Sequence, residues 1–119
     1  MSIHIKGGHL IDPQSQIDAQ MDIYIADGKI VALGETARSF TADQTIDAAG
    51  LIVCPGFVDL YAHLPEPGFE HKGTVASETR AAAAGGVTTL CCPPDTAPVV
   101  DSPSVATLIQ DLARQAQYC

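Results

Sequence analysis

Apolar and polar residues alternate with a period of two at the start of the chain. Ile3 and Ile5 are interleaved with His4 and Lys6, and Met21, Ile23 and Ile25 with Asp22, Tyr24 and Ala26. That period belongs to strands with one buried face. Gly7-Gly8 follows, then Leu10-Ile11 and a turn at Asp12-Pro13. Asp27-Gly28 separates the second strand from the apolar run Lys29 to Leu33, which predicts a tight hairpin, because such turns need positive φ. A short strand is expected from Thr45 to Asp47, ahead of Ala48-Ala49-Gly50.

The pattern changes at Leu51. Leu51 to Val53 is apolar, Cys54-Pro55-Gly56 interrupts it, and Phe57 to Leu64 is a mostly apolar run. Such a run predicts a strand buried on both faces. Pro65-Glu66-Pro67-Gly68 ends it. Thr74 to Ala84 favours helix, with Gly85-Gly86 as the stop. Val87 to Cys92 reads as the next buried strand, ended by Pro93-Pro94. Ser102-Pro103 then gives an N-cap and a proline at the first helical position. Val105, Leu108, Ile109, Leu112 and Ala116 form one face of that second helix.

The expected fold class is therefore α/β. A small β module over residues 1–54 precedes two strand–helix units over residues 55–119. Alternating strands and helices imply a parallel sheet. Eight such units close a barrel of the (β/α)8 type. Two do not, so the chain is expected to be a piece of a longer protein.

Composition narrows the function. Apolar residues make up 46% of the 119 residues, as in globular chains. Six Lys and Arg against fourteen Asp and Glu give a net charge of −8, which disfavours nucleic acid as a partner. No apolar stretch approaches the roughly 20 residues that span a bilayer, and the N-terminus lacks a signal-peptide pattern. No membrane partner is expected, and a cytoplasmic location is the default. Cys54, Cys91, Cys92 and Cys119 include no CxxC pair, so they read as buried or half-buried free thiols.

Catalytic groups of parallel α/β barrels gather at the C-terminal ends of the strands. The first such end reads Asp59-Leu60-Tyr61-Ala62-His63, and positions 61 and 63 share a face. Two histidines at that spacing would present two imidazoles to one metal.

At this point the chain resembles a known family. GFVDLYAHLPEPG is similar to the dihydroorotase stretch G-x-Ile/Val-D-x-H-x-H-x-R-E-P-G. ASETRAAAAGGVTTLCCPPDTAPVVDSP resembles the helix, second strand and substrate loop of the same family, where the loop usually reads P-N-T. IHIKGGHLIDP, DIYIADGKIVALGE and TIDAAGLIVCPG resemble the N-terminal β module of cyclic-amide amidohydrolases generally, hydantoinase and allantoinase included. The resemblance implies a metal-dependent hydrolase barrel whose β module belongs to a composite β-sandwich.

Three positions depart from it. Tyr61 stands where the family has its first metal histidine, and a phenol must lose a proton with pKa near 10 to serve as a ligand. Pro65 stands where the family has the arginine that holds the substrate carboxylate, and proline has no side-chain donor. Asp95 stands where the family has a substrate-binding asparagine, so a negative charge replaces an amide donor. His63 alone keeps the family's candidate metal-ligand position, as a vestigial ligand or as a histidine hydrogen-bonded inside the barrel mouth.

This pattern resembles the non-catalytic dihydroorotase-like subunits that some bacteria pair with aspartate carbamoyltransferase. The resemblance implies a structural protein of pyrimidine biosynthesis with no catalytic residue, with aspartate carbamoyltransferase as partner and homo-oligomer formation left open. The competing expectation is an active zinc dihydroorotase that interconverts dihydroorotate and N-carbamoyl-aspartate, with zinc as cofactor and its remaining ligands beyond residue 119. Other polar residues have plainer readings. Asp59 is expected to support neighbouring backbone or side chains deeper in the barrel, Glu66 to be a structural or surface residue of its turn, and His4, His9 and His71 to be surface or turn histidines. Gly85-Gly86 matches no phosphate-loop pattern.

Overall fold

The computed structural model describes residues 1–35 and 40–118. Contacts divide it into two compact units, Met1–Pro55 and Gly56–Cys119. The reading of Cys119 as a free thiol lies outside the described residues.

The first unit is a five-stranded sheet. Its strands are β1 (Ser2–Asp12), β2 (Ile17–Ala26), β3 (Lys29–Leu33), β4 (Gln44–Asp47) and β5 (Ile52–Val53). The order is β3-β2-β1-β4, with β5 also pairing to β1. β1 and β2 run antiparallel with Ile3 opposite Ile25 and Ile5 opposite Ile23. β4 and β5 lie parallel to β1. The β2–β3 turn has φ of 50° at Asp27 and 73° at Gly28. Two successive positive φ values match the strand twist, which is why an Asp-Gly pair sits there.

Gly7-Gly8 does not end the first strand. β1 continues through both glycines, and its register with β2 shifts between Ile5 and Gly8. The extra residue is absorbed as a bulge, with φ of 71° at Gly7. A side chain at Gly8 would sit 2.6 Å from Val53 Cγ2, so the glycine lets β5 close on β1.

Leu10, Ile23, Tyr24 and Ala48 are buried in this unit. The second strand was expected to bury one face only, yet adjacent Ile23 and Tyr24 both lie inside. The second face is covered by a small polar–aromatic cluster. His4 stacks on Tyr24 with ring centroids 4.4 Å apart, and Phe40 meets Tyr24 edge-on at 5.1 Å. Asp22 bonds His4 Nε2 at 2.8 Å and accepts from Gly7 N at 2.8 Å. The reading of His4 as an ordinary surface histidine is thereby corrected, because its ring is half-buried. His9 fits the surface reading and pairs with exposed Asp18.

The second unit contains β6 (Phe57–Asp59), α1 (Val75–Ala84), β7 (Val87–Leu90) and α2 (Pro103–Ala116). β6 and β7 pair in parallel. Thr74 caps α1 through a reciprocal box: its Oγ1 accepts from Ser77 N, and its own N donates to Ser77 Oγ. Val75 and Thr79 are fully buried on α1. Gly86 ends that helix with φ of 82°. α2 buries Val105 and half-buries Ile109, Leu112 and Ala116, whereas Leu108 stays exposed.

Three expectations change here. The run Phe57 to Leu64 is not one long buried strand: β6 stops at Asp59, and Phe57, Val58 and Leu60 are exposed. The cause is twofold. β6 has β7 as its one strand neighbour among the described residues, and the Asp59 side chain takes Tyr61 N at 2.9 Å, which turns the chain out of the ladder. β7 likewise ends at Leu90, so Cys91 and Cys92 are exposed, as is Cys54, rather than buried. Ser102 occupies the N-cap of α2 but makes no cap hydrogen bond, because its Oγ pairs with Ser104 Oγ at 3.0 Å.

Candidate functional site

The loops that follow β6 and β7 are joined by backbone hydrogen bonds. Cys91 N donates to Asp59 O at 2.8 Å and Ala62 N to Cys91 O at 3.0 Å. Further out, Ala97 N donates to Pro67 O at 3.0 Å. Gly68 lies at that junction with φ of 104°, and a Cβ there would come within 2.6 Å of Ala97 Cβ and closer still to the Ala97 carbonyl. Glycine is thus required for the two loops to touch. Glu66 anchors the same loop to α1 by accepting from Val75 N at 2.8 Å, one of the amides a helix start leaves free.

This stitching brings together residues 32 positions apart. His63 Nδ1 bonds Asp95 Oδ2 at 2.5 Å. Both side chains are about half exposed, at 59% and 48%. A carboxylate can only accept, so His63 donates through Nδ1. Tyr61 meets the same imidazole edge-on, with centroids 5.0 Å apart and planes at 89°. Tyr61 and His63 therefore do lie side by side, although the strand itself has ended.

His63 and Asp95 line a cavity of about 280 Å³ together with Leu64, Pro65, Phe69 and Lys72. The Lys72 ammonium rests 5.1 Å from the centre of the Phe69 ring. His71 contacts the same ring at 6.5 Å. Asp59, Tyr61 and His63 border an adjoining hollow. The Cys92 thiol, exposed though it is, is pushed above its ordinary value, first by desolvation from the atoms around it and then by Cys91, Asp95 and Asp59.

Zinc sites take about four ligands, three of them from protein in catalytic cases. No three His, Cys, Asp or Glu side chains converge to hold a metal among the described residues. Position 61 offers a phenol, and Asp95 holds Nδ1 of His63.

Asp95 had been expected simply to add charge and remove a donor. Its place as the partner of His63 was not legible, since nothing local in the sequence links the two loops. The nearness of Lys72 and Phe69 to His63 was missed for the same reason. The turn residues Pro65 to Gly68 were the one available signal, because they fold the chain back on itself.

Comparison with known proteins identifies the frame. Residues 50–117 match the dihydro-orotase-like family. The chain belongs to that family. It is 56% identical over 116 residues to a dihydroorotase-like protein of Pseudomonas aeruginosa, covering 98% of this chain and 27% of the relative. A dihydroorotase of Citrifermentans bemidjiense is 46% identical over 114 residues, covering 96% of this chain and 27% of that protein. Among solved structures, an L-hydantoinase from Arthrobacter aurescens superposes with a TM-score of 0.83 at 29% identity, over 95% of this chain and 25% of that one. The dihydroorotase-like chain thus spans about a quarter of the length of these relatives. It shares the α/β frame of the amidohydrolases from its β module into the second strand–helix unit. No helix among the described residues is long and apolar enough to cross a membrane.

Proposed function

We propose that this chain is part of a catalytically inactive, dihydroorotase-like subunit of pyrimidine biosynthesis that supports assembly of aspartate carbamoyltransferase in the cytoplasm. The observation that carries this reading is the state of the residue 61–63 pair. Tyr61 fills the place of one imidazole, which leaves His63 as the one imidazole of the pair. Pro65 removes the cationic clamp from the same cavity. Loss of a group that merely orients a metal ligand costs about 10–100-fold in affinity or activity, and here a first ligand and the clamp are both replaced. The two relatives from Pseudomonas named dihydroorotase-like protein, at 56% and 50% identity, favour the same reading.

In this reading the two strand–helix units begin an eight-fold barrel, and the remaining strands cover Phe57, Val58 and Leu60. The barrel then serves as a rigid body for assembly.

A second reading is favoured by relatives named dihydroorotase at 46% identity. It makes the full-length protein a zinc-dependent cyclic amidohydrolase acting on dihydroorotate and N-carbamoyl-aspartate, with its metal held by residues outside this chain. Zinc would then supply an activated hydroxide.

Zinc content per chain separates the two. The full-length natural protein, purified with zinc supplied, is expected to hold essentially none and to co-purify with aspartate carbamoyltransferase. One or two zinc ions per chain, with dihydroorotate turnover, would overturn the scaffold reading and install the hydrolase.

A further inference from the structure

We propose that the hollow beside the Gly7 bulge, bounded by His9, Gln20, Leu51 and Ile52, binds a short aliphatic primary amine as its ammonium ion. The ammonium sits between the Asp18 carboxylate and the Gln20 side-chain carbonyl, and the alkyl chain lies on Ile11, Leu51 and Ile52. The site belongs wholly to the first unit. It goes beyond a scaffold role, which requires no ligand.

Sheet register builds the floor. On β1 and β2, His9 stands opposite Gln20 and Ile11 opposite Asp18, while Ile52 of β5 lies level with His9 on the other side. Side chains two apart on a strand, and those of cross-strand partners, share a face. His9, Ile11, Asp18, Gln20 and Ile52 therefore point the same way. The turn after β4 closes one end. Leu51 N donates to Ala48 O and His9 N to Leu51 O, both at 2.9 Å, which holds Leu51 beside β1. Gly7 and Gly50 complete the walls of a space of about 360 Å³. That volume lies at the low end of the roughly 300–1,000 Å³ of ligand pockets and suits a chain of a few carbons.

Polar groups select the ligand class. Gln20 Nε2 donates to Gly7 O at 3.3 Å, which leaves its Oε1 to accept. Asp18 takes His9 Nε2 on Oδ1 at 2.5 Å and keeps a second oxygen for another donor. No Lys or Arg lines the hollow. An anion would meet Asp18 unpaired, whereas an ammonium brings three donors to these acceptors. Leu51 and Ile52 are 59% and 69% exposed, so their apolar surface is open to an alkyl chain. The chain's net charge of −8 also draws cations rather than anions.

n-Pentylamine is the probe. Its binding to the full-length natural protein is followed through the δ1-methyl resonances of Ile11 and Ile52 at constant pH and ionic strength. Saturable shifts of both methyls are expected. n-Butylamine, one methylene shorter, should bind about fourfold more weakly. Pentan-1-ol, which lacks the charge, should bind more weakly than the amine, and pentanoate should leave both methyls unmoved. Asp18→Asn should weaken n-pentylamine by about 2–5-fold, the worth of a solvent-screened ion pair. Absence of saturable shifts in the wild-type protein, equal affinity for n-butylamine or pentan-1-ol, binding of pentanoate, or unchanged affinity in Asp18→Asn would each overturn the proposal. Asp18 is exposed, and an unchanged urea midpoint will certify the variant as folded. Neither zinc content nor partner capture enters this readout, so the site and the scaffold reading can fail separately.

Discussion

Replacing Gly68 by alanine tests whether the two loops of the site are held by steric necessity. Gly68 has φ of 104°, and a Cβ would fall 2.6 Å from Ala97 Cβ and nearer to the Ala97 carbonyl. Two costs arise. Forcing a side chain into a positive-φ conformation costs about 1–2 kcal/mol. Overpacking a filled contact adds about 1–3 kcal/mol. The sum is about 2–5 kcal/mol, and the backbone cannot relieve it without parting Ala97 N from Pro67 O. Gly86→Ala is the control within the same unit. Its φ is 82°, and its new Cβ would lie 3.6 Å from Phe57 Cδ2, an ordinary contact. That variant should show the conformational cost alone, about 1–2 kcal/mol. Urea unfolding of the full-length protein gives both values. Hydrogen exchange at the Ala97 amide gives the local effect, since each 1.4 kcal/mol of lost protection speeds exchange about tenfold. Equal destabilisation by the two substitutions, or unchanged exchange at Ala97 in Gly68→Ala, would refute the steric account of how His63 and Asp95 are brought together.

Other consequences follow from single contacts. Thr74→Ala removes the side-chain half of the α1 capping box and should cost about 1 kcal/mol in urea unfolding; no change would mean that Glu66 on Val75 N suffices to start the helix. Asp22 is held below its ordinary value of 3.8, first by Gly7 N–H and then by His4. A depressed folded value means that its stabilisation is present above the unfolded value and is lost as pH falls through the folded one. Asp22→Asn should therefore destabilise the protein by about 1–3 kcal/mol at neutral pH and flatten the fall in urea midpoint below pH 3.8; an acid limb identical to wild type would contradict this. The 119-residue chain alone exposes Phe57, Val58 and Leu60 on a two-stranded sheet, so it should self-associate in size-exclusion chromatography. A monomer that unfolds cooperatively would go against that expectation.

Local chemistry was legible where it acts over a few residues. The Asp27-Gly28 turn, the α1 span with its glycine stop and the proline start of α2 all depend on φ preferences or on neighbours within one helical turn. They were therefore written in the sequence. Strand lengths were less so. The first fifty residues read as short strands and turns, yet β1 runs on through Gly7-Gly8 as a bulge, because pairing on both sides with β2 and β5 outweighs the flexibility of two glycines. Phe57 to Leu64 looked like one strand and was cut short at Asp59, because an aspartate side chain that captures Tyr61 N competes with the ladder.

At the site the division is the same. Sequence alone singled out positions 61, 63, 65 and 95, through their resemblance to a family motif, as an expectation about the site. Tertiary structure alone decided that Asp95 is the partner of His63, that His4 is half-buried against Asp22 and Tyr24, and that Lys72 shares a cavity with both His63 and Asp95. The physical reason is range. Propensities and caps act within about four residues along the chain, whereas these contacts join segments brought together by sheet pairing and by a glycine that lets two loops touch.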